Sequence, residues 1–198
     1  MTPPAASARL LEIRGELLGP SITLGRLADR LGHVATAMLL LICGLAAFVP
    51  GVAVVLGLPL CLIALGLMLG RDRAWLPAGM RRRRIPGQPL SAAIERLAPR
   101  LHWIERRIRP RATWATGPAG RRAIGLAAFV CGVLIVLPVP FGNTAPAIAV
   151  ILMGLGLLAG DGLAVLAGLA AAALALVVDL LLLAAGWAAL VHLSTWIA

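Results

Sequence analysis

The stretch AIGLAAFVCGVLIVLPVPFGNTAPAIAVILMGLGLLAG, from Ala123 to Gly160, decides the fold. Two apolar runs, residues 123–137 and Pro146–Gly160, flank the sequence PVPFGNTA (Pro138–Ala145). Proline and glycine interrupt the helical pattern there, as they do in turns. The stretch therefore predicts a helical hairpin.

The same plan occurs earlier, between Val34 and Gly70. Residues 34–48 and 59–70 are apolar, and residues 49–58 carry proline and glycine. As helices these arms would be about 22 and 18 Å long, less than the roughly 30 Å hydrocarbon core of a bilayer. Either the arms borrow loop residues to span the membrane, or they form a re-entrant hairpin.

An internal match relates the two stretches. LGLMLGRD (Leu65–Asp72) aligns with LGLLAGDG (Leu155–Gly162), and the prolines of the two turns then correspond after small gaps. We therefore predict that residues 34–70 and 123–160 are repeated Pro/Gly-interrupted hairpins, related by a pseudo-two-fold axis.

Composition places these hairpins in a membrane. Of 198 residues, 61% are hydrophobic and 13% are charged, whereas soluble domains have about 45–50% and 25%. We expect an all-α integral membrane protein that forms a single membrane domain, residues 1–198, with membrane lipids as its surroundings.

The net charge of +10 comes entirely from arginine. Fourteen of the eighteen arginines lie between Arg71 and Arg122, and the other four precede Ala35. Because arginine flanks the cytoplasmic ends of apolar spans, the N-terminus and residues 71–122 should face the cytoplasm of a multi-pass protein of the bacterial inner membrane. No aromatic stacking pattern accompanies the charge, so we expect no nucleic acid partner.

Amphipathic segments flank the first hairpin. Residues 1–33 and the arginine-rich residues 71–122 both contain apolar side chains at helical spacing, which predicts helices lying in the membrane interface. A soluble cytoplasmic cap is the alternative for the second segment. Its predicted lipid-interface residues are Arg96, Arg100, Trp103, Arg106 and Arg107.

Residues 161–198 are rich in alanine and leucine, and they predict C-terminal transmembrane helix. About 50 Å of helix is too long for one simple span, so either two segments meet near Asp179 or Gly186, or one long helix is tilted. Asp161 and Asp179 are candidate intramembrane ionisable residues. The alternatives are a solvated carboxylate for Asp161 and a turn for Asp179. Small residues favour close helix contact and a homodimer.

No pattern of residues indicates an enzyme. The sequence has no HExxH, no P-loop and no nucleophile, base and acid at motif spacing. Cys43, Cys61 and Cys131 lie in apolar runs and are expected to be small buried hydrophobes. We therefore expect no catalytic residues, no metal and no cofactor.

Three elements carry a family resemblance: GLPLCLIALGLMLGRDRAWLP (Gly57–Pro77), LHWIERRIRPR (Leu101–Arg111) and LPVPFGNTAPA (Leu137–Ala147). With them the sequence resembles the ExoD family of exopolysaccharide-synthesis membrane proteins. The resemblance implies a role in making or exporting exopolysaccharide, and it implies no catalytic mechanism.

The two turns form the predicted site, because interrupted segments in corresponding positions indicate a membrane substrate site. Pro59 and Pro146 suit the first position of a helix, so the N–H groups that follow would point into the shared space. That arrangement favours an anionic lipid or a polyprenyl phosphate as the ligand. Gly51 and Gly142 would allow the backbone to approach it closely.

Asn143 and Thr144 would orient this ligand, since they are the polar side chains of the turns. For Asn143 the alternative is a plain helix cap. The functional prediction is a transporter or a protein that handles lipids or lipid carriers. The alternative is a non-transporting scaffold that organises polysaccharide-assembly enzymes through its basic face.

Overall fold

A computed structural model describes residues 21–48, 52–71, 78–82, 84–86, 112–137 and 142–197. Their helices are α1 (Leu24–Leu31), α2 (His33–Ala46), α3 (Val52–Met68), α4 (Ala78–Arg81), α5 (Pro118–Val136), α6 (Thr144–Ala159) and α7 (Gly162–Ile197). A 3-10 helix, Thr113–Thr116, precedes α5. Gly51 of the first turn lies outside the described residues. So do the predicted lipid-interface residues Arg96, Arg100, Trp103, Arg106 and Arg107.

The described residues are almost entirely helical, which confirms the all-α prediction, and a short antiparallel ribbon accompanies the helices. Strand β1 (Ser21–Thr23) pairs with β2 (Arg84–Pro86), with Ile22 opposite Ile85. Beside it, Arg81 donates a hydrogen bond to Asp29 at 2.6 Å, which is also an ion pair. Both side chains are more than a third exposed, so this pair is worth roughly 0–1 kcal/mol.

Each helix of the first hairpin makes its most extensive contact with the second hairpin. Helix α2 packs on α6, and α3 packs on α5, while contacts within each hairpin are smaller. In each pair, the first helix of one hairpin therefore packs on the second helix of the other hairpin. The two hairpins are thus interleaved around one core.

Glycines set the close approach of α2 and α6. A Cβ built on Gly44 would lie 3.2 Å from the carbonyl oxygen of Ala147, and one on Gly154 would lie 3.2 Å from that of Ala37. Neither glycine could carry a side chain without moving a backbone. Since 44 meets 147 and 37 meets 154, the two helices run antiparallel.

Helices α3 and α5 meet in the same way. A Cβ on Gly57 would lie 3.2 Å from the Gly132 oxygen, and one on Gly125 would lie 2.9 Å from the Ala64 oxygen. This pair is therefore also antiparallel, and small residues line both sides of it. Such interfaces are typical of helices that associate in membranes.

Proline 59 lies inside α3, which corrects the prediction that it begins a helix. Residues 52–58 are helical, so the first turn is shorter than the predicted 49–58. Ala53 is fully buried and Gly57 lies against Gly132, so packing favours helix before the proline. Transmembrane helices tolerate such a proline because neighbours satisfy the freed backbone groups. Pro146 is the third helical residue of α6 rather than the first.

The internally matching sequences end their helices alike. Gly70 and Gly160 have positive φ values of 69° and 67°. The next N–H group donates to the carbonyl four residues before that glycine in both cases, Arg71 to Gly66 at 3.1 Å and Asp161 to Gly156 at 2.9 Å. This is the left-handed C-terminal motif that glycine favours.

Helix α7 is continuous from Gly162 to Ile197, about 54 Å long. Neither Asp179 nor Gly186 marks a turn, so the single-helix alternative is correct. Its buried residues to Asp179 recur every three or four positions and face the bundle: Gly162, Val165, Gly168, Ala172, Ala175 and Asp179.

Helix α2 packs antiparallel on α6 and α3 packs antiparallel on α5, and short connections lead from α2 to α3 and from α5 to α6. The bundle therefore has two distinct ends. The base end comprises the starts of α2, α5 and α7 and the ends of α3 and α6. The turn end comprises the ends of α2 and α5 and the starts of α3 and α6. Among the described residues of these helices and their caps, the base end carries the charges of Arg71, Arg121, Arg122 and Asp161.

Two described helices are long and apolar enough to cross a membrane, judged by length and composition. They are Pro118–Val136 and residues Gly162–Ala189 within α7. The apolar segments Val34–Ala46, Leu56–Met68 and Thr144–Ala159 are shorter.

Candidate site at the turn end

Asn143 holds the cap position of α6, yet its side chain makes no cap hydrogen bond. Its backbone carbonyl accepts from Ala147 N–H at 3.1 Å. The side-chain oxygen Oδ1 is buried, and it has no hydrogen-bond partner among the described residues. The capping alternative therefore lacks the bond that defines it, and a buried acceptor is left available.

Four of the predicted site residues come together at the start of α6. Gly142 is buried, Thr144 is exposed, and Pro146 is buried in the first helical turn beside Asn143. The first N–H groups of any helix lack partners within that helix, so Thr144 and Ala145 present donors here. Pro59 is not part of this group, because it lies seven residues into α3.

The other helix ends reach the same level. Gly44 lies against Ala147, so Ala47, the residue that follows α2, comes level with the first residue of α6. A Cβ on Gly57 would lie 2.6 Å from the Val136 side chain, which places the first turns of α3 beside the end of α5. The ends of all four hairpin helices thus surround one region.

Asp179 reaches this region from α7. Gly168 lies against Met153 and Ala149 of α6. Asp179 is eleven residues further along, about 16 Å, which brings it level with the start of α6. It ends the buried stripe of α7, and it lies close enough to Cys131 of α5 for the two groups to interact electrostatically.

The Asp179 carboxyl group is isolated. Its side chain is 1% exposed, and both oxygens lack a hydrogen-bond partner among the described residues. The sequence marked Asp179 as an ionisable residue but did not place it beside the turn. The number of residues between Asp161 and Asp179 could have predicted this position. A continuous helix that begins after Asp161 and runs back along α6 reaches the turn near Asp179.

The second acidic candidate has an ordinary structural role. Asp161 is half-buried at the start of α7, and its Oδ1 accepts a hydrogen bond from Leu163 N–H at 2.9 Å. Its backbone carbonyl accepts from Val165 N–H at 3.2 Å. Asp161 therefore caps a helix at the base end.

The cysteines lie within helix contacts. Cys43 and Cys131 are buried, and Cys61 is half-buried with its thiol 3.9 Å from the Phe129 carbonyl oxygen. Within the described ranges no group of three or more His, Cys, Asp or Glu residues could hold a metal ion. The three thiols pack as small hydrophobes.

The described residues are predominantly helical, and two of their helices are apolar enough to cross a membrane, which fits the class of helical membrane proteins. The family model described as "Exopolysaccharide synthesis, ExoD" matches residues 6–181, and the chain belongs to this family. Protein ExoD of Rhizobium meliloti is 34% identical, over 76% of this chain and 65% of its own length. An uncharacterized protein of Synechocystis sp. is 26% identical, over 76% of this chain and 74% of its own.

The match to the Rhizobium protein leaves about a third of that protein uncovered, since it spans 65% of its length. No solved structure matches the chain. The resemblance to the ExoD family is confirmed, and the family's role is exopolysaccharide synthesis.

Proposed function

We propose that this protein binds an anionic lipid or a polyprenyl-phosphate carrier at the turn end and moves it within the membrane during exopolysaccharide synthesis. The observation that carries the proposal is the buried Oδ1 of Asn143 at the start of α6, which has no hydrogen-bond partner among the described residues. A polar group buried without a partner costs free energy and therefore needs an explanation, and a bound ligand at the start of a helix is the explanation that we propose.

The turn end would lie inside the membrane. Neither connecting sequence, residues 47–51 or 137–143, contains a charged residue. Helix α6 is about 24 Å long, short of a roughly 30 Å hydrocarbon core. These features favour re-entrant hairpins that enter and leave at the base end. The matching C-terminal motifs at Gly70 and Gly160 support repeated units.

The chemistry of the α6 start suits a phosphate group. The N–H donors of Thr144 and Ala145 and the positive end of the helix dipole favour an anion. The Asn143 amide and the exposed Thr144 hydroxyl can add hydrogen bonds. A prenyl or acyl chain has an apolar surface to follow along α7, where the side chains of Leu180 to Leu183 are exposed.

The base end would face the cytoplasm of the inner membrane, because the arginines lie there. Cysteine substituted at Thr116 or Gln88 should then react with an impermeant maleimide in inside-out vesicles. Strong labelling in intact spheroplasts would contradict this orientation.

Transport can be measured with the purified full chain in phosphatidylcholine and phosphatidylglycerol vesicles. The probe is a farnesyl phosphate with a fluorophore at its apolar end, and quencher accessibility reports its movement across the bilayer. We expect movement faster than in protein-free vesicles. The double variant Asn143→Ala, Thr144→Val should lose most of it while staying folded.

Thr36→Val is the matched control. The buried Thr36 hydroxyl likewise has no hydrogen-bond partner within the described ranges, but it lies near the base end of α2. This variant should keep wild-type transport. Full activity in a stable Asn143→Ala, Thr144→Val protein would end the proposal, and no movement with the wild type would favour the scaffold.

A further inference from the structure

We propose that Asp179 is the proton-binding residue of this site, neutral while an anionic headgroup is bound and able to release its proton when the headgroup leaves. The idea rests on the proposed function for its ligand. The proton-binding part stands on the surroundings of Asp179 alone.

No cation in the described part of the chain is placed to balance an ionised Asp179. Its carboxyl oxygens are buried and have no hydrogen-bond partner among the described residues. The described charges of the bundle helices and their caps otherwise lie at the base end, and Asp161 is eighteen residues away, about 27 Å along α7. An ionised carboxylate in apolar surroundings without a partner is costly, so such a group takes up a proton instead.

Few described titratable groups lie near enough to Asp179 to exchange a proton with it. Helix α5 contributes Cys131, and the described residues of α6 include no titratable side chain. On its own helix the next titratable residue is His192, about 20 Å further along. Apart from the Cys131 thiol, no described group is placed to exchange a proton with Asp179, so the proposed exchange is with water or with the ligand.

Occupancy of the site and protonation are then linked. A phosphate at the start of α6 and a carboxylate at the same level would repel each other if both were ionised. The neutral acid admits the anion, and loss of the proton expels it. The proton moves between an Asp179 oxygen and water, so each bound anion is accompanied by one proton.

Infrared difference spectra test the proton-binding part without any ligand. Wild-type protein in proteoliposomes should show the C=O stretching band of a protonated carboxyl group at neutral pH, and Asp179→Asn should lack it. Asp161→Asn is the control, because its half-exposed carboxylate accepts an N–H hydrogen bond and should leave the band unchanged. No such band in the wild type down to about pH 5, a value well above the ordinary Asp pKa, would overturn the proposal.

Binding of unlabelled farnesyl phosphate tests the link. Wild-type affinity should fall by roughly tenfold or more as the pH rises from about 6 to about 9, a typical coupling between two ligands. Asp179→Asn resembles the neutral acid, so its affinity should lose this fall with pH. It should keep only the change in affinity that comes from titration of the probe's own phosphate. Asp161→Asn should follow the wild type.

The two proposals fail in different ways. If wild-type protein binds no farnesyl phosphate at any pH, the proposed function is wrong, while the infrared band still reports on Asp179. If wild-type protein binds the probe and Asp179→Asn keeps the full pH response, the linkage is wrong and the proposed function stands.

Discussion

The two halves of α7 have similar compositions and opposite surroundings. From Gly162 to Asp179, a stripe of small residues and valine is buried against the bundle. From Leu180 to Ala189, every side chain is exposed. Alanine and leucine dominate both halves, so composition does not decide which half packs. The decisive feature is a partner helix, α6, whose Gly156 meets the stripe at Val165.

Leucine in place of a glycine should give the largest contrast between the halves. A Cβ on Gly168 would lie 2.8 Å from Met153 N and 3.2 Å from the Ala149 oxygen, whereas nothing lies within 4 Å of one on Gly186. Gly168→Leu should lower the free energy of unfolding by about 3 kcal/mol or more, since overpacking displaces a backbone. Gly186→Leu should lower it little or not at all. Thermal unfolding followed by size-exclusion chromatography in detergent measures both, and equal melting temperatures would break the comparison.

Removing side-chain volume should give the next largest contrast. Met153 is fully buried against Gly168, and Leu181 is 65% exposed on the second half of α7. Met153→Ala should cost about 2 kcal/mol or more because it leaves a cavity. Leu181→Ala should change stability by less than about 0.5 kcal/mol. A comparable loss in Leu181→Ala would show that the second half has a protein partner.

Asp179, at the boundary between the halves, should respond with the opposite sign. Replacing a buried polar group that lacks partners by leucine removes a desolvation penalty of roughly 1–3 kcal/mol. Asp179→Leu should therefore raise the melting temperature while it abolishes the pH response of ligand binding. A less stable Asp179→Leu protein would mean that the carboxyl group has a stabilising partner.

The smallest effect concerns Gly160, which ends α6 two residues before α7 begins. Gly160 has a positive φ of 67° with nothing within 4 Å of its Cβ position, so alanine there is strained without being crowded. Gly160→Ala should cost about 1 kcal/mol. Gly186→Ala, in regular helix, should gain up to about 1 kcal/mol. If both variants changed the melting temperature alike, the left-handed conformation of Gly160 would not matter for the stability of the protein.

Local sequence predicted most of the helices and the residues at the start of α6. Apolar runs marked α2, α5 and α6, and the glycine before Asp161 marked a helix end. Gly142, Asn143, Thr144 and Pro146 lie together as expected, because they are neighbours in the chain.

The errors arose where distant partners decide. The prediction that Pro59 begins a helix was wrong because the contact of Gly57 with α5 favours helix on both sides of the proline. The ribbon joins Ile22 to Ile85, and no local pattern announces a partner so far along the chain. Asp179 lies level with the start of α6 only because α7 is continuous and runs back along α6.

Interleaving has a consequence for synthesis of the chain. Gly44 and Gly57 in the first hairpin are covered by residues near 151 and 132 of the second. At roughly 5–20 residues per second, the ribosome needs about 4–20 s to produce those partners. During that interval the glycine faces of α2 and α3 must be covered by lipid or by the insertion machinery. Pulling-force measurements on stalled nascent chains should therefore show docking only after α5 and α6 have emerged.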